Sequence, residues 1–441
     1  MTKKTNIDTD VLASLIEGAD KEMVPFSKTN QAETFDYLPS LIPEVDYVFL
    51  GGIPLSGKIT GLFGRPEVGK STLAANLIAI AQKLNITVVY YDVELSTNKT
   101  RLEQLGIDTD RIFVKQPGKT RKGAAIPLSI ESIMQSMTDI ASAVHENNPN
   151  SLVLFVWDTV GMTQSELAAN SDYYQADMMS QSKALAVGAR KLTVNLQKYD
   201  ASLLALNQAR DDPAVANRPP MYKVDKSVGG WGWLHALNLN LEVVKGAKET
   251  RTTSDTQPIG HVAKIKFVKS KVGDNSGAVA NAKFLQDTGF DIEYNIYSEA
   301  QALKWIKLDR TGFATYVTDN GEIIKHRKWD FVNYLKSEEG SEVFQELWSK
   351  LVKYYFPECY PALFNLHAIM EEDTFPGVTA LREYYMKVQE ALPPQQQNPL
   401  YKKYVEKYGL PKSVKESIKK APEPEETKAP KKTKATTSKK K

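Results

Sequence analysis

GRPEVGKS, running from Gly64 to Ser71, decides how the rest of the chain is read. It fits the pattern G-x-x-x-x-G-K-[ST], in which each position has a chemical reason. Gly64, Arg65, Pro66, Glu67, Val68 and Gly69 supply a loop whose backbone N–H groups can wrap a β-phosphate. Lys70 reaches the β- and γ-phosphates, Ser71 ligates Mg²⁺, and Thr72 continues the first helical turn. The apolar run Ile59–Phe63 lies immediately before the loop and the helical pattern STLAANLIAIAQKL immediately after it. A strand entering the loop and a helix N-terminus facing the anion distinguish a nucleotide site from a glycine-rich turn. The cofactors implied are ATP and Mg²⁺.

A phosphate loop needs an acid on the metal side and a group that orients water. The buried-looking strand Leu152–Trp157 ends at Asp158, the metal-side candidate. In Tyr90-Tyr91-Asp92-Val93-Glu94, period-two alternation points Asp92 and Glu94 the same way at the end of the strand that follows the loop helix. Glu94 is the candidate base; its bland alternative is a solvated strand-end carboxylate.

Working outward, short apolar runs alternate with helical segments from about 45 to 300. Expected strands are Ile59–Phe63, Val88–Asp92, Leu152–Trp157, Leu203–Leu206, Leu237–Val244, Ala263–Val268 and Ala282–Leu285. The first four are continuous apolar runs, as strands covered on both faces of a parallel sheet should be. Helical patterns at Ser71–Leu84 and Ser180–Tyr199 separate them, which makes the fold class α/β. Residues 7–22 form an amphipathic helical pattern, 300–410 are aromatic-rich and mostly helical, and the end, APEPEETKAPKKTKATTSKKK, has no aromatic or large aliphatic residue.

Composition narrows the classes. The chain has 441 residues, 42% apolar and 25% charged, enough for a sizeable core and more than one domain. Its one cysteine, Cys359, excludes an internal disulfide and a cysteine-based zinc site. The five histidines show no ligand spacing. No apolar run reaches the roughly 18 residues of a membrane helix, and MTKKTNIDTD leads into no signal core, so a cytoplasmic chain without a membrane partner is expected. The net charge of +3 hides an asymmetry: residues 419–441 carry nine Lys and three Glu, which leaves the body mildly acidic.

At this point the residues resemble a family. Over about residues 40–345 the chain is similar to the RecA recombinases, and within them to phage RecA-like recombinases of the UvsX kind. GGIPLSGKITGLFG leads into the loop; YYDVELSTNKTRLEQLGIDTDRIFVKQP, LVLFVWDTVG, SLLALNQAR, KSVGGWGWLHALNLNLEVV, HVAKIKFVKSKVG and DTGFDIEYNIYSEA follow in the family's order. TGFATYVTDNGEIIKHRKWDFVNYL is similar to the start of its C-terminal domain.

The resemblance implies a RecA-type P-loop NTPase core with a mostly parallel central sheet, an N-terminal helix and a small α+β C-terminal domain. The expected divisions are 1–40 (helix and linker, for oligomerisation), 41–300 (ATPase core), 301–410 (α+β domain) and 411–441 (basic tail). It implies that Glu94 orients water and that Asn207 and Gln208 couple the γ-phosphate to the DNA loops, Gln208 as the switch. Lys269 and Lys271 would reach a neighbour's ATP, where two alternating lysines would otherwise read as an exposed strand face. The DNA loops fall at about 164–176, with Tyr173 and Tyr174, and 209–229, with Arg210, Arg218, Tyr222, Lys223 and Lys226. Arg101 stands where bacterial members place a tyrosine near the adenine, and the basic tail departs from their acidic one, which suggests a salt-sensitive nucleic-acid tether.

The activity implied is that of a DNA-dependent ATPase that forms a helical homo-oligomeric filament on single-stranded DNA and exchanges its strand with a homologous duplex. Single-stranded-DNA-binding and loading factors are the implied accessory partners. Two alternatives share the core: a hexameric replicative helicase, which would form closed rings, and a non-motor ATP-binding mediator, which would lack DNA-stimulated turnover.

Overall fold

The computed structural model describes residues 36–119, 125–149, 151–169, 178–211, 225–252 and 256–357, with 16, 18–20, 23, 34, 389–390 and 405 besides. Most of the expected N-terminal helix, both loop interiors, residues 358–388 and the basic tail lie outside these.

Tyr37–Leu38 (β1) pairs with Ile53–Pro54 (β2) in a short antiparallel ladder ahead of the main sheet. That sheet is built from Ile59–Gly64 (β3), Thr87–Asp92 (β4) and Ile112–Lys115 (β5), then, after the small hairpin Gly118–Lys119 (β6) and Ala125–Ile126 (β7), from Val153–Asp158 (β8), Ala201–Asp211 (β9) and Asp225–Ser227 (β10). Leu239–Glu249 (β11), Gly260–Ser270 (β12) and Val279–Leu285 (β13) complete it. The order is β13-β12-β11-β3-β9-β8-β4-β5, with β10 on the end of β9. From β11 to β5 every neighbour pair is parallel; β12 and β13 extend the sheet antiparallel. The α/β class with a mostly parallel central sheet is therefore as the pattern indicated.

The apolar runs are continuous because both faces are covered. All six residues of β3 and of β8 are buried. On one face the helices Lys70–Lys83 and Ile292–Ala302 pack with Leu62, Val88 and Val156. On the other, Ile130–Asn147, Met178–Lys198 and Gly230–Ala236 pack with Phe155, Trp157 and Leu203. The helix Ile130–Asn147 starts at a reciprocal Ser129–Ser132 cap and buries Ile130, Ile133, Met134, Met137 and Ala141, the spacing of one helical stripe. Trp157 meets Trp233 edge-on at 6.0 Å between ring centres, and its indole N–H is satisfied by Thr163 Oγ1 at 2.9 Å.

Beyond residue 303, Lys307–Leu308 (β14), Phe313–Val317 (β15) and Ile323–Arg327 (β16) form a separate three-stranded sheet. The helices Lys328–Leu335 and Ser341–Tyr355 follow it. Tyr316, Phe331, Leu347 and Leu351 join the first of the two cores, and Trp348 donates to the Leu41 carbonyl at 3.2 Å. Among the described residues no helix is long and apolar enough to cross a membrane.

Candidate nucleotide-binding site

The C-terminal ends of β3, β4, β8 and β9 converge, and the phosphate loop closes over them, the usual position for a ligand on an open α/β sheet. Gly64 cannot be another residue: an added Cβ would stand 2.2 Å from the Val243 carbonyl oxygen on β11. The chain then reverses through Glu67 (φ 60) and Gly69 (φ 101), both in the left-handed region, before the helix Lys70–Lys83 begins. Val68 is buried beneath the turn, with its carbonyl 3.3 Å from His261 Nε2. A cleft of about 340 Å³ opens over Glu67–Thr72, walled by Lys245, His261, Phe284 and Gln286. None of these four was singled out by the sequence pattern.

Lys70 Nζ donates to the carbonyls of Gly64 (3.1 Å) and Arg65 (2.8 Å). Burial pulls its pKa down, opposed by the charges of Asp158 and Glu94. Ser71 Oγ donates to Asp158 Oδ2 at 2.9 Å, and Tyr90 Oη donates to the same oxygen at 2.7 Å. Burial raises the Asp158 pKa, with those two hydrogen bonds working against it. Among the described residues no cluster of His, Cys, Asp and Glu forms a protein-only metal cage. Mg²⁺ does not need one, because phosphate oxygens and water supply most of its ligands. An ammonium, a hydroxyl and an acid converging on a loop of backbone N–H groups fit a Mg²⁺–nucleoside triphosphate.

Asp92 and Glu94 part company. β4 ends at Asp92, which is fully buried and accepts from the amides of Ser96 (3.2 Å) and Thr97 (3.3 Å) and from Gln116 Nε2 (2.9 Å). These bonds fold the chain away from the strand, so alternation no longer sets the direction of Glu94. Glu94 is exposed and accepts from Gln208 Nε2 at 3.1 Å. Although the residue is exposed, partial loss of solvent around its carboxylate and then the charge of Asp158 raise its pKa, with the Gln208 bond lowering it.

Gln208 lies beside Gly64 in the parallel β3–β9 register. Its neighbour Asn207 is buried and donates through Nδ2 to Ser227 Oγ (2.9 Å) and the Val228 carbonyl (2.7 Å). Asn207 thus ties the two ends of the segment 209–229 together. Arg210 and Lys226 face each other across the β9–β10 stem; Arg218, Tyr222, Lys223, Tyr173 and Tyr174 lie outside the described residues. Arg65 Nε and Nη2 bond both carboxylate oxygens of Asp225, at 2.9 and 2.7 Å, a pairing that no local pattern announces.

Arg101 sits apart from the phosphate end. Its Nη1 donates to the Asp287 carbonyl at 2.9 Å, two residues before Gly289, where an added Cβ would be 2.8 Å from Thr72 Cγ2. That places Arg101 on the rim near the loop helix. Lys269 Nζ donates to the carbonyls of Leu234 (2.6 Å) and Leu237 (3.4 Å), at the C-terminal end of the helix Gly230–Ala236. Its pKa is lowered, by burial and then by Lys271, which is exposed just past β12.

A family model described as the RecA N-terminal domain matches residues 30–290. Protein RecA of Fusobacterium nucleatum subsp. nucleatum is 25% identical over 264 residues, 60% of this chain and 64% of that protein. Protein RecA of Mycoplasmopsis pulmonis is 25% identical over 306 residues, 69% of this chain and 80% of that protein. Protein RecA of Petrotoga mobilis is 26% identical over 288 residues, 65% and 71% of the respective chains. The match to the Fusobacterium relative spans a little under two thirds of that protein's length.

Proposed function

The chain belongs to the RecA N-terminal domain family, and we propose on that premise that it is an ATP-dependent DNA recombinase. It would form a helical filament on single-stranded DNA and promote pairing and strand exchange with a homologous duplex. The observation that carries this is the Gln208–Glu94 bond. It joins the acid suited to orienting water to the strand that runs straight into the segment 209–229, so nucleotide chemistry and that segment share one hydrogen bond. We assign DNA contact to that segment through Arg210, Arg218, Tyr222, Lys223 and Lys226.

Bound ATP and Mg²⁺ would supply the phosphoanhydride and the cation that neutralises its charge. The loop N–H groups and Lys70 would hold the phosphates and Ser71 and Asp158 the metal side, with Tyr90 fixing the Asp158 carboxylate. Glu94 orients and deprotonates the attacking water, and Gln208 reports the γ-phosphate to β9. Arg101, on the rim near the loop helix, would lie against the base. Lys269 and Lys271 serve a neighbouring subunit's site, so turnover requires stacked subunits.

Filament assembly has a second support. A groove of about 1170 Å³ lies between the helices Ile130–Asn147 and Met178–Lys198, with Leu167, Met179 and Val187 exposed in it and Lys183 and Lys191 on its wall. The acidic amphipathic segment 7–22 of a neighbouring copy matches it in both polarity and charge. Kinship with the phage UvsX kind rests on the resemblance of the motifs and their order; Arg101 and the basic tail only set the chain apart from the bacterial pattern.

ATP hydrolysis measured with and without single-stranded DNA tests the assignment. Strong stimulation that Lys70→Ala abolishes is expected. Nucleotide binding with turnover indifferent to DNA would leave only an ATP-binding mediator.

A further inference from the structure

The segment 209–229 is tied to the phosphate loop a second time, independently of Gln208. The Arg65 guanidinium grips the Asp225 carboxylate with two prongs, at 2.9 and 2.7 Å, across 160 residues of sequence. Such a fork fixes orientation as well as distance, which a lysine could not do. The Arg65 carbonyl in turn accepts from Lys70 Nζ at 2.8 Å. Asp225 opens β10, and two and three residues further on Ser227 and Val228 receive the Asn207 amide. A continuous path of contacts therefore runs from Lys70 through Arg65 and Asp225 to the base of the DNA segment.

Both links at the loop end are ones for which a polyanion competes. Phosphate oxygens bound in the loop would draw Lys70 from the Arg65 carbonyl, and their negative charge would pull on the guanidinium of the same residue. The Arg65 side chain is 58% exposed and that of Asp225 16%, so the pair is reached by solvent, and by a competing anion, from the arginine side.

We propose that the Arg65–Asp225 pair is a latch, holding the end of the DNA segment in a low-affinity arrangement until a nucleoside triphosphate competes it open. Asp225 is then a positioning residue for DNA binding, and the Arg65 side chain is more than a loop spacer. The proposal rests on the recombinase reading above.

The test measures binding of the full-length chain to a fluorescent oligothymidylate by anisotropy, without nucleotide and with Mg²⁺ and a non-hydrolysable ATP analogue. Arg65→Ala and Asp225→Asn should each tighten nucleotide-free binding about fivefold or more, which shrinks the nucleotide effect. Asp225→Glu, which keeps the carboxylate, should retain the wild-type response. Charge alone acts differently: loss of a cation weakens DNA binding and loss of an anion strengthens it. Opposite shifts in Arg65→Ala and Asp225→Asn would therefore overturn the latch. So would a wild-type protein that responds to nucleotide while both variants keep its full response. Wild-type binding indifferent to nucleotide would overturn the recombinase reading and the latch with it.

Discussion

Asp92 and Asp158 occupy facing positions on the adjacent parallel strands β4 and β8, yet their carboxylates serve different partners. Asp158 accepts from Ser71 and Tyr90 and looks into the site, whereas Asp92 accepts from Ser96, Thr97 and Gln116 and builds the turn that carries Glu94. Their substitutions should separate accordingly. Asp158→Asn should raise the Mg²⁺ concentration needed for half-maximal ATP hydrolysis. Asp92→Asn should leave that concentration unchanged, lower kcat, and cost about 1–2 kcal/mol of stability through the orphaned amides. A Mg²⁺ titration and a thermal melt of each variant distinguish the two.

Glu94 and Gln208 give a kinetic prediction with a sign. Glu94→Gln should lower turnover about 10²–10⁴-fold while nucleotide binding persists. Gln208→Ala removes the hydrogen bond that lowers the Glu94 pKa, so that pKa should rise. A base must be deprotonated, so the acid limb of the kcat profile should move to higher pH. A limb that stays in place, or moves down, would show that the bond does not act on the ionised form.

Lys269 and Lys271 should behave differently from each other. Lys269 holds two carbonyls of its own chain, so Lys269→Ala should cost about 1 kcal/mol of stability as well as turnover. Lys271→Ala should affect turnover alone. If Lys271 completes a neighbour's site, an equimolar mixture of Lys70→Ala and Lys271→Ala chains regains about a quarter of wild-type turnover, the share of randomly stacked interfaces with both lysines. No recovery on mixing would place Lys271 in its own subunit's site.

Glu299 offers a test of the fold rather than the site. It is buried among Glu44, Asp46 and Tyr355, and burial followed by the Glu44 charge pushes its pKa up to about 8. The folded state therefore keeps a proton that the unfolded chain releases near 4.5, and stability falls as pH rises from there through about 8. Glu299→Gln removes that dependence. It should stabilise the protein at pH 8–9 and matter little near pH 4.5; equal effects at both ends would contradict the burial account.

What could be read from the sequence was what is written locally. The loop Gly64–Ser71, the buried strands β3, β4, β8 and β9, and the acid at the end of β8 follow from spacing and unbroken apolar runs. β5 does not stand out, because only Ile112 of its four residues is buried and Phe113 and Val114 face outward. Its alternation is lost at the sheet edge. Tyr90 reads as one aromatic in a core strand, and nothing in the sequence says that its hydroxyl reaches Asp158. Arg65–Asp225 and Lys269–Leu234 join residues 160 and 35 apart, and only the folded chain brings them together. Alternation is not what aims Glu94, because the Asp92 carboxylate ends the strand before it.

The most direct measurement is joint-molecule formation between circular single-stranded DNA and a homologous linear duplex, with Mg²⁺ and ATP. The recombinase account expects joint molecules that depend on homology and on ATP, and their loss in Lys70→Ala. DNA-stimulated ATP hydrolysis with no joint molecules, or joint molecules formed equally well without homology, would contradict it.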